Sequence, residues 1–168
     1  MKKYLILILM FTITYTCHSQ DGLSFTVLQD IKLGLGMDKD HGNDRPTPDF
    51  IIAMNFEGKQ FEWYYFSMQS YFEHASLSSG YFRRYGVNAT WTLNQLVINK
   101  LKISVGGGIG VIHRKDSGGM LTYGVLSEIS YPVTKHFSMV LRNEINTSPD
   151  LPNKDARYNL SLGFNYEI

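Results

Sequence analysis

The stretch that decides the fold is Tyr158-Asn159-Leu160-Ser161-Leu162-Gly163-Phe164-Asn165-Tyr166-Glu167-Ile168. Every second residue in it is aliphatic or aromatic, and the residues between are small or polar. Because successive side chains of a β-strand point to opposite faces, this period of two predicts a strand with one apolar and one polar face. An amphipathic helix would need a period near 3.6.

The same alternation recurs along the chain from Leu23 onward and predicts eight strands. They span residues 23–35, 50–57, 60–73, 81–93, 100–113, 120–132, 136–146 and 157–168. The four odd-numbered connections hold 14, 7, 6 and 10 residues, and the three even-numbered ones hold 2, 6 and 3. One end of the sheet is therefore expected to carry long loops and the other short turns.

Composition excludes several classes of protein. A chain of 168 residues is long enough for one domain. Only 18% of its residues are charged, against about 25% in an average globular protein, and its net charge is +1. With 14% aromatic residues the chain does not have the composition of a disordered segment, and it lacks the basic excess of a nucleic-acid binder. We therefore expect no nucleic-acid partner.

The N-terminus has the three regions of a secretory signal peptide. Lys2 and Lys3 precede an apolar run at residues 5–13, and small residues precede Gln20. Cleavage after Ser19 would divide the chain into a signal peptide, residues 1–19, and one β-barrel domain, residues 20–168. The alternative is a lipidated N-terminus at Cys17, although residues 14–16 are a poor match to the motif that usually precedes such a cysteine.

The heights of the aromatic residues distinguish a membrane barrel from a soluble one. After the signal peptide no segment has the ~18 consecutive apolar residues of a membrane helix, so any membrane span must consist of strands. One aromatic group falls near the short-turn end: Phe25, Phe56, Phe61, Trp63, Trp91, Tyr131, Phe137 and Tyr166. Another falls near the long-loop end: Phe50, Tyr71, Phe72, Tyr81, Tyr123 and Tyr158. Two aromatic belts around an aliphatic band are typical of two membrane interfaces. The pattern favours a closed, eight-stranded, antiparallel, up-and-down transmembrane β-barrel over a soluble lipocalin-like carrier, which would have an apolar lumen.

The polar face carries nearly balanced charges. Five acidic and four basic residues lie on it, namely Asp30, Glu57, Glu128, Glu144, Glu167, Lys32, Arg84, Lys102 and Arg142. An eight-stranded barrel is just wide enough for side chains to fill it, and charges in so narrow a space must be paired. We therefore expect a salt-bridged plug rather than a conducting pore.

These features together resemble the small eight-stranded outer-membrane β-barrel proteins of Gram-negative bacteria. The likeness includes the signal peptide, the eight alternating strands, the long outer loops and the C-terminal strand ending at residues 163–168. The segment from Tyr131 to Ser138 is also similar to the short turns of such barrels. Ile168 departs from the pattern, because many members end in Phe. The resemblance implies an outer-membrane location with both termini in the periplasm and leaves the activity open, because this family includes adhesion barrels, membrane anchors and lipid-modifying enzymes.

Three functions are compatible with this resemblance. The chain acts either as a structural membrane component or through its extracellular loops, which would bind a ligand or a protein. The alternative is a lipid-modifying enzyme. Lipid A deacylases of similar build carry a His-x-Ser-Asn motif in a late strand, where this chain has Glu144, Ile145, Asn146 and Thr147. His136 and Ser138 fall at the opposite end. The sequence therefore favours no catalytic residue and no cofactor.

The first long loop resembles a calcium-binding loop in part. Asp38, Asp40, Asp44 and Asp49 occupy positions 1, 3, 7 and 12 of the twelve-residue pattern. Position 5 is Gly42 and position 6 is Asn43, the reverse of what the ligand and turn positions require. These four aspartates are a candidate metal site, and an ordinary solvated loop is the alternative.

A second candidate site faces outward near the headgroup level. Arg83 and His113 share the outward register on neighbouring strands, and Arg114 and Lys115 follow His113 into the loop. Arginine can form bidentate hydrogen bonds with phosphate. We therefore expect outer-membrane lipid, and lipopolysaccharide in particular, to contact these four residues. An interfacial arginine that only extends toward water is the alternative.

Overall fold

The structure, a computed structural model, describes residues 22–36, 45–58, 60–77, 80–94, 100–115, 118–147 and 156–168. Its strands are β1 (Gly22–Asp30), β2 (Asp49–Glu57), β3 (Tyr64–Leu77), β4 (Gly80–Asn94), β5 (Lys102–Arg114), β6 (Met120–Pro132), β7 (Phe137–Thr147) and β8 (Ala156–Glu167). One short helix, α1 (Ile31–Gly34), follows β1. No helix in these ranges is long and apolar enough to cross a membrane.

The eight strands form one closed barrel. Each strand pairs antiparallel with the next along the chain, and β8 pairs with β1 so that Gly163 lies opposite Leu28. The chain therefore follows the up-and-down order expected from the alternation. Closure pairs both edges of the sheet, which leaves no open edge strand.

The barrel has two different ends. At the loop end, the connections β1–β2, β3–β4, β5–β6 and β7–β8 have 18, 2, 5 and 8 residues. At the terminal end, where β1 begins and β8 finishes, the other three connections have 6, 7 and 4 residues. The difference in connection length between the two ends is smaller than predicted. One reason is that β3 and β4 extend further toward the loop end and leave only residues 78–79 between them.

The first strand is shorter than predicted because a helix replaces its last residues. The Asp30 carboxylate accepts hydrogen bonds from the backbone N–H of Lys32, at 2.7 Å, and of Leu33, at 3.1 Å. This is an N-cap, which stabilises the first turn of a helix. The turn ends at Gly36, whose φ of +68° suits glycine. Apolar residues at positions 31, 33 and 35 are compatible with a strand and with this single helical turn. The alternation therefore did not distinguish the two structures.

The exterior is apolar and the interior largely polar. Most outward side chains are exposed aliphatic or aromatic residues, for example Val27, Ile109, Val125 and Phe164. The interior holds many buried hydroxyl, amide and charged side chains. This is the sense of a barrel in lipid and the opposite of a soluble carrier with an apolar lumen.

One aromatic residue was assigned to the wrong face. Tyr71 is 7% exposed and lies inside the barrel, whereas its neighbour Phe72 is exposed. Both were predicted to lie in the outer belt at the long-loop end. Adjacent residues of a strand face opposite sides, so only one of them can contact lipid.

Candidate functional site

Arg157 is the centre of a buried charge network at the loop end of the lumen. Its guanidinium donates from Nη1 to Glu73 Oε1 at 2.9 Å and from Nη2 to Asp49 Oδ2 at 3.0 Å. Nη2 also lies 3.4 Å from Asp30 Oδ2. The Phe82 ring lies 4.5 Å from the guanidinium carbon. All five side chains are buried, so this one cation partly neutralises three carboxylates that water does not reach.

Arg84 extends the same network across the barrel. Its Nε donates to Glu73 Oε2 at 2.6 Å, and its Nη2 donates to Glu144 Oε2 at 3.1 Å. Glu73 therefore bridges the two arginines. The Tyr71 ring, which faces the lumen by its register on β3, lies 5.0 Å from the Arg84 guanidinium carbon in a cation–π contact. We call these six charged residues the Arg84–Arg157 network: Asp30, Asp49, Glu73, Arg84, Glu144 and Arg157.

Above the network, α1 narrows the mouth of the barrel. Leu33 is completely buried and packs with three inward-facing residues of the strands, Ala75, Phe82 and Ile112. This apolar cluster lies on the loop side of the buried charges. The Asp30 carboxylate belongs to both features, because it caps the helix and contacts Arg157. Folding of this turn and filling of the lumen are therefore coupled.

A layer of amides and hydroxyls fills the middle of the lumen. The side chain of Asn55 donates to Thr26 at 2.8 Å and to Ser24 at 3.0 Å, and that of Asn88 donates to Gln69 at 2.9 Å. These bonds join neighbouring strands, β1 to β2 and β3 to β4, on the inner surface of the barrel. Because these groups are neutral and bond to each other, they need no counter-ion.

The terminal end of the lumen contains separate ion pairs. The Arg142 guanidinium donates to Glu128 Oε2 from Nε at 2.9 Å and from Nη2 at 2.7 Å. Lys102 Nζ lies 3.0 Å from Glu167 Oε1, and both side chains are partly exposed. A cavity of about 40 Å³ lies among these groups. That volume admits a few water molecules at most.

The structure pairs most of the predicted lumen charges and separates one. Arg84 and Glu144, Arg142 and Glu128, and Lys102 and Glu167 are each in contact. Glu57 accepts a hydrogen bond from the Tyr65 hydroxyl at 3.4 Å. The exception is Lys32, which lies on α1 rather than on a strand, with its Nζ 3.5 Å from the carbonyl oxygen of Tyr158. Its placement among the lumen charges was wrong because β1 ends at Asp30.

Three members of the Arg84–Arg157 network were not predicted to belong to the lumen charges. Glu73 has the same register as Tyr71, so the mistaken outward placement of Tyr71 concealed it. Arg157 shares the inward register of Asn159 and Ser161, and this signal could have identified it. Asp49 was assigned to the metal site instead.

The structure describes only one of the four residues of the candidate metal site. Asp38, Asp40 and Asp44 lie outside the described residues. Asp49 is buried in the lumen against Arg157, so its carboxylate faces away from a solvated loop. The residues that the structure describes contain no cluster of three or more His, Cys, Asp or Glu side chains suited to a metal ion.

The four residues of the candidate lipid contact do not share one surface. Arg83 and His113 are directly paired across β4 and β5, and the His113 Nε2 lies 2.8 Å from the Tyr85 hydroxyl on the outer surface. Arg114 has the inward register, and its guanidinium carbon lies 5.6 Å from the buried Phe82 ring. Lys115 is exposed in the turn after β5. The expectation that Arg114 lies in the loop was therefore wrong, because β5 continues through residue 114 and its alternation gives that residue the inward register.

The residues compared with the deacylase motif have other roles. Glu144 is bonded to Arg84 inside the barrel. His136 Nδ1 lies 3.1 Å from the backbone oxygen of Glu167, and Ser138 is buried in the lumen. The His136–Ser138 pair is therefore divided between the surface and the interior.

Comparison with solved structures identifies the class of fold. The chain is similar to Neisserial surface protein A, with a TM-score of 0.57 and 13% identity over 88% of this chain and 96% of that one. It is similar to the outer membrane protein Ail of Yersinia pestis, with a TM-score of 0.55 and 12% identity over 88% of this chain and 100% of that one. A de novo designed transmembrane β-barrel gives a TM-score of 0.54 and 11% identity over 89% of this chain and 97% of that one.

No protein-family model and no curated protein matches the sequence. At these low identities the structural likeness defines the fold alone. It confirms the prediction of a closed, eight-stranded, antiparallel, up-and-down transmembrane β-barrel, which is the fold of the small outer-membrane barrels. Ail, one of the similar proteins, is described as an outer membrane protein.

Proposed function

We propose that this protein is a non-conducting outer-membrane barrel that presents its loop end outside the cell as a binding surface, with both termini in the periplasm. The observation that carries the proposal is the Arg84–Arg157 network beneath Leu33. Two arginines and four carboxylates, all buried, occupy the lumen where a solute would have to pass. Eight strands leave no room for an aqueous channel once such side chains are in place.

Because the lumen is filled, a binding site would lie on the surfaces at the ends of the barrel. Of the connections, the two longest, at residues 31–48 and 148–155, lie at the loop end. Binding residues are commonly carried by loops on a rigid scaffold, and a closed barrel provides such a scaffold. One similar protein, Ail, is described as the attachment invasion locus protein of Yersinia pestis. A binding role for this chain is in keeping with that description.

The first part of the proposal is tested by conductance. Purified protein in planar bilayers should give no steady single-channel current. A variant with Glu73→Ala, Arg84→Ala and Arg157→Ala removes the centre of the network, and we expect it to give more current than the parent if it still folds. Folding is checked on gels, because a closed barrel resists SDS until it is heated and then migrates differently. Reproducible current steps from the unaltered protein would contradict the proposed plug.

The second part is tested by replacing residues 37–44 and 148–155 with Gly-Ser segments of equal length. Cells that display the parent should adhere to host-cell and extracellular-matrix surfaces more strongly than cells that display the loop variant. The matched control replaces residues 95–99 at the terminal end. Equal adhesion by all three would reject the binding role and leave a structural one.

A further inference from the structure

A row of basic side chains crosses three neighbouring strands on the outer surface near the loop end. His74 on β3 is paired with Arg83 on β4, and Arg83 is paired with His113 on β5. All three have the outward register. Within the described residues no carboxylate forms an ion pair with Arg83, and the buried Nδ1 of His74 has no hydrogen-bond partner. We call these three residues the basic row.

Aromatic side chains hold the basic row in place. The Arg83 guanidinium carbon lies 5.0 Å from the Tyr81 ring. The His113 and Tyr85 rings are stacked with their centroids 5.6 Å apart, and the Tyr85 hydroxyl lies 2.8 Å from His113 Nε2. Tyrosines at this height are typical of a membrane interface, where a polar group meets lipid headgroups. The row is therefore positioned toward headgroups rather than toward bulk water.

An apolar groove lies below the basic row on the same three strands. It has a volume of about 270 Å³, and its outward walls are Met68, Val87 and Ile109. Its floor is the directly paired residues Ala89 and Gly107, which have almost no side chain. The surrounding exterior carries large side chains, so this depression is a place where a hydrocarbon chain can contact the sheet.

The groove and the row are separated by a distance that suits one lipid. Ala89 is six residues from Arg83 along β4, about 20 Å at ~3.4 Å per residue. A strand tilt of about 40° reduces this to about 15 Å along the membrane normal. The apolar band of an outer-membrane barrel is about 25 Å tall, so a groove at this depth lies near the midplane. An acyl chain whose headgroup lies at Arg83 would reach it.

We propose that the basic row and the groove form one binding site for a phosphate-bearing, acylated glycolipid of the outer leaflet, of the lipid A class. Arg83, with His74 and His113 on either side, binds the phosphate, and one acyl chain lies over Ala89 and Gly107. The positive charge of Arg83 favours an anionic headgroup over a zwitterionic one, and the groove below it on the same strands accepts an acyl chain. The site rests on the proposed membrane location of the barrel and on its orientation with the loop end outward.

The test uses Trp91 as a local probe. Trp91 is exposed two residues below Ala89 on the same face, and Trp63→Phe removes the other tryptophan. Protein with this substitution is placed in vesicles of phosphatidylcholine with brominated acyl chains, which quench tryptophan. Added lipid A with ordinary chains should displace the brominated chains from the groove and restore Trp91 fluorescence. Lipid A without its phosphates should restore the fluorescence only at a concentration at least about tenfold higher.

Two variants separate the headgroup from the acyl chain. Arg83→Gln should raise the lipid A concentration for half-recovery about tenfold or more, because it removes a charged hydrogen-bond donor. Ala89→Phe should fill the groove and abolish the recovery. The controls are Lys135→Gln, which removes a charge at the terminal end, and Leu162→Phe, which enlarges an outward side chain on β8. Both controls should behave like the parent.

The remaining outcomes are decisive. The phosphate site is refuted if Arg83→Gln needs the same lipid A concentration for half-recovery as the parent protein, or if dephosphorylated lipid A is as effective as lipid A. The basic row would then only extend toward water. If Ala89→Phe leaves the recovery unchanged, the acyl groove is refuted. Native mass spectrometry in phosphate-free detergent gives a second measure of lipid A retention. Heat-dependent gel migration of every variant separates loss of this site from failure of the barrel assignment.

Discussion

Replacement of Arg157 by methionine tests the energetic role of the lumen network. Arg157 contacts three carboxylates, of Asp30, Asp49 and Glu73, at 2.9–3.4 Å, and its side chain is 5% exposed. The substitution keeps an unbranched side chain and removes the charge. Glu73 retains Arg84 and Asp30 retains its backbone donors, whereas Asp49 loses its contact with a cation. The main cost is therefore an uncompensated buried charge.

The size of this cost follows from the burial. Removing one partner of a buried ion pair destabilises a protein by about 3–5 kcal/mol. With a urea dependence of about 2 kcal/mol per molar, this lowers the unfolding midpoint by about 1.5–2.5 M. The matched control is Lys102→Met, which breaks the partly exposed pair with Glu167. Exposed pairs contribute about 1 kcal/mol or less, so the control should shift the midpoint by less than about 0.5 M.

The assay is equilibrium unfolding in urea, in detergent micelles or thin bilayers. Tryptophan fluorescence follows the transition, because Trp63 and Trp91 are both on the surface of the folded barrel and change surroundings on unfolding. Heat-dependent gel migration confirms that each variant is closed before urea is added. Adding Asp49→Asn to Arg157→Met should recover part of the lost stability, because it removes the charge that was left unpaired. Equal midpoint shifts in Arg157→Met and Lys102→Met would refute the interpretation of the network as a buried structural element.

Three further predictions concern closure, the lipid face and the helix. Gly163→Val should prevent stable pairing of β8 with β1 and abolish the SDS-resistant form, because a Cβ at this position would contact the Val27 carbonyl oxygen; Gly118→Ala, which has open space around it, should not. Val125→Arg, on the exposed face, should cost about 2–4 kcal/mol in bilayer unfolding measurements, and Val125→Leu should be close to neutral. Asp30→Asn should keep the helix cap but remove the negative charge beside Arg157. Urea unfolding should therefore show a smaller loss of unfolding free energy for Asp30→Asn than for Asp30→Ala. Equal losses would argue against the capping role.

The alternation of β8 illustrates how much could be read locally. Tyr158, Leu162 and Phe164 face outward and Ser161 and Asn165 face inward, as their positions predicted. A strand fixes the direction of each side chain through backbone geometry alone, so the sequence of apolar and polar residues carries this information. The number of strands follows from the same pattern.

The errors had two sources, a strand end and a residue placed by its type. The alternation of Ile31, Leu33 and Leu35 continued past the end of β1, and only the Asp30 cap shows that a helical turn begins there. Tyr71 was placed by its residue type instead of its register. The first error arises because one helical turn and a strand can share the same apolar pattern. The second arises because the inward register of Gln69 and Glu73 was not applied to Tyr71.

The sequence by itself determined the strands, the faces and the class of barrel, because these depend on a period of two residues and on the residue types at each height. The tertiary structure decided which charges meet. Arg157 and Asp30 are 127 residues apart in the chain, and Arg157 and Glu73 are 84 apart. They become neighbours only when the sheet closes and brings strands β1, β2, β3 and β8 around one narrow lumen. Pairing inside a barrel depends on closure and on strand stagger, and neither is encoded in any single strand.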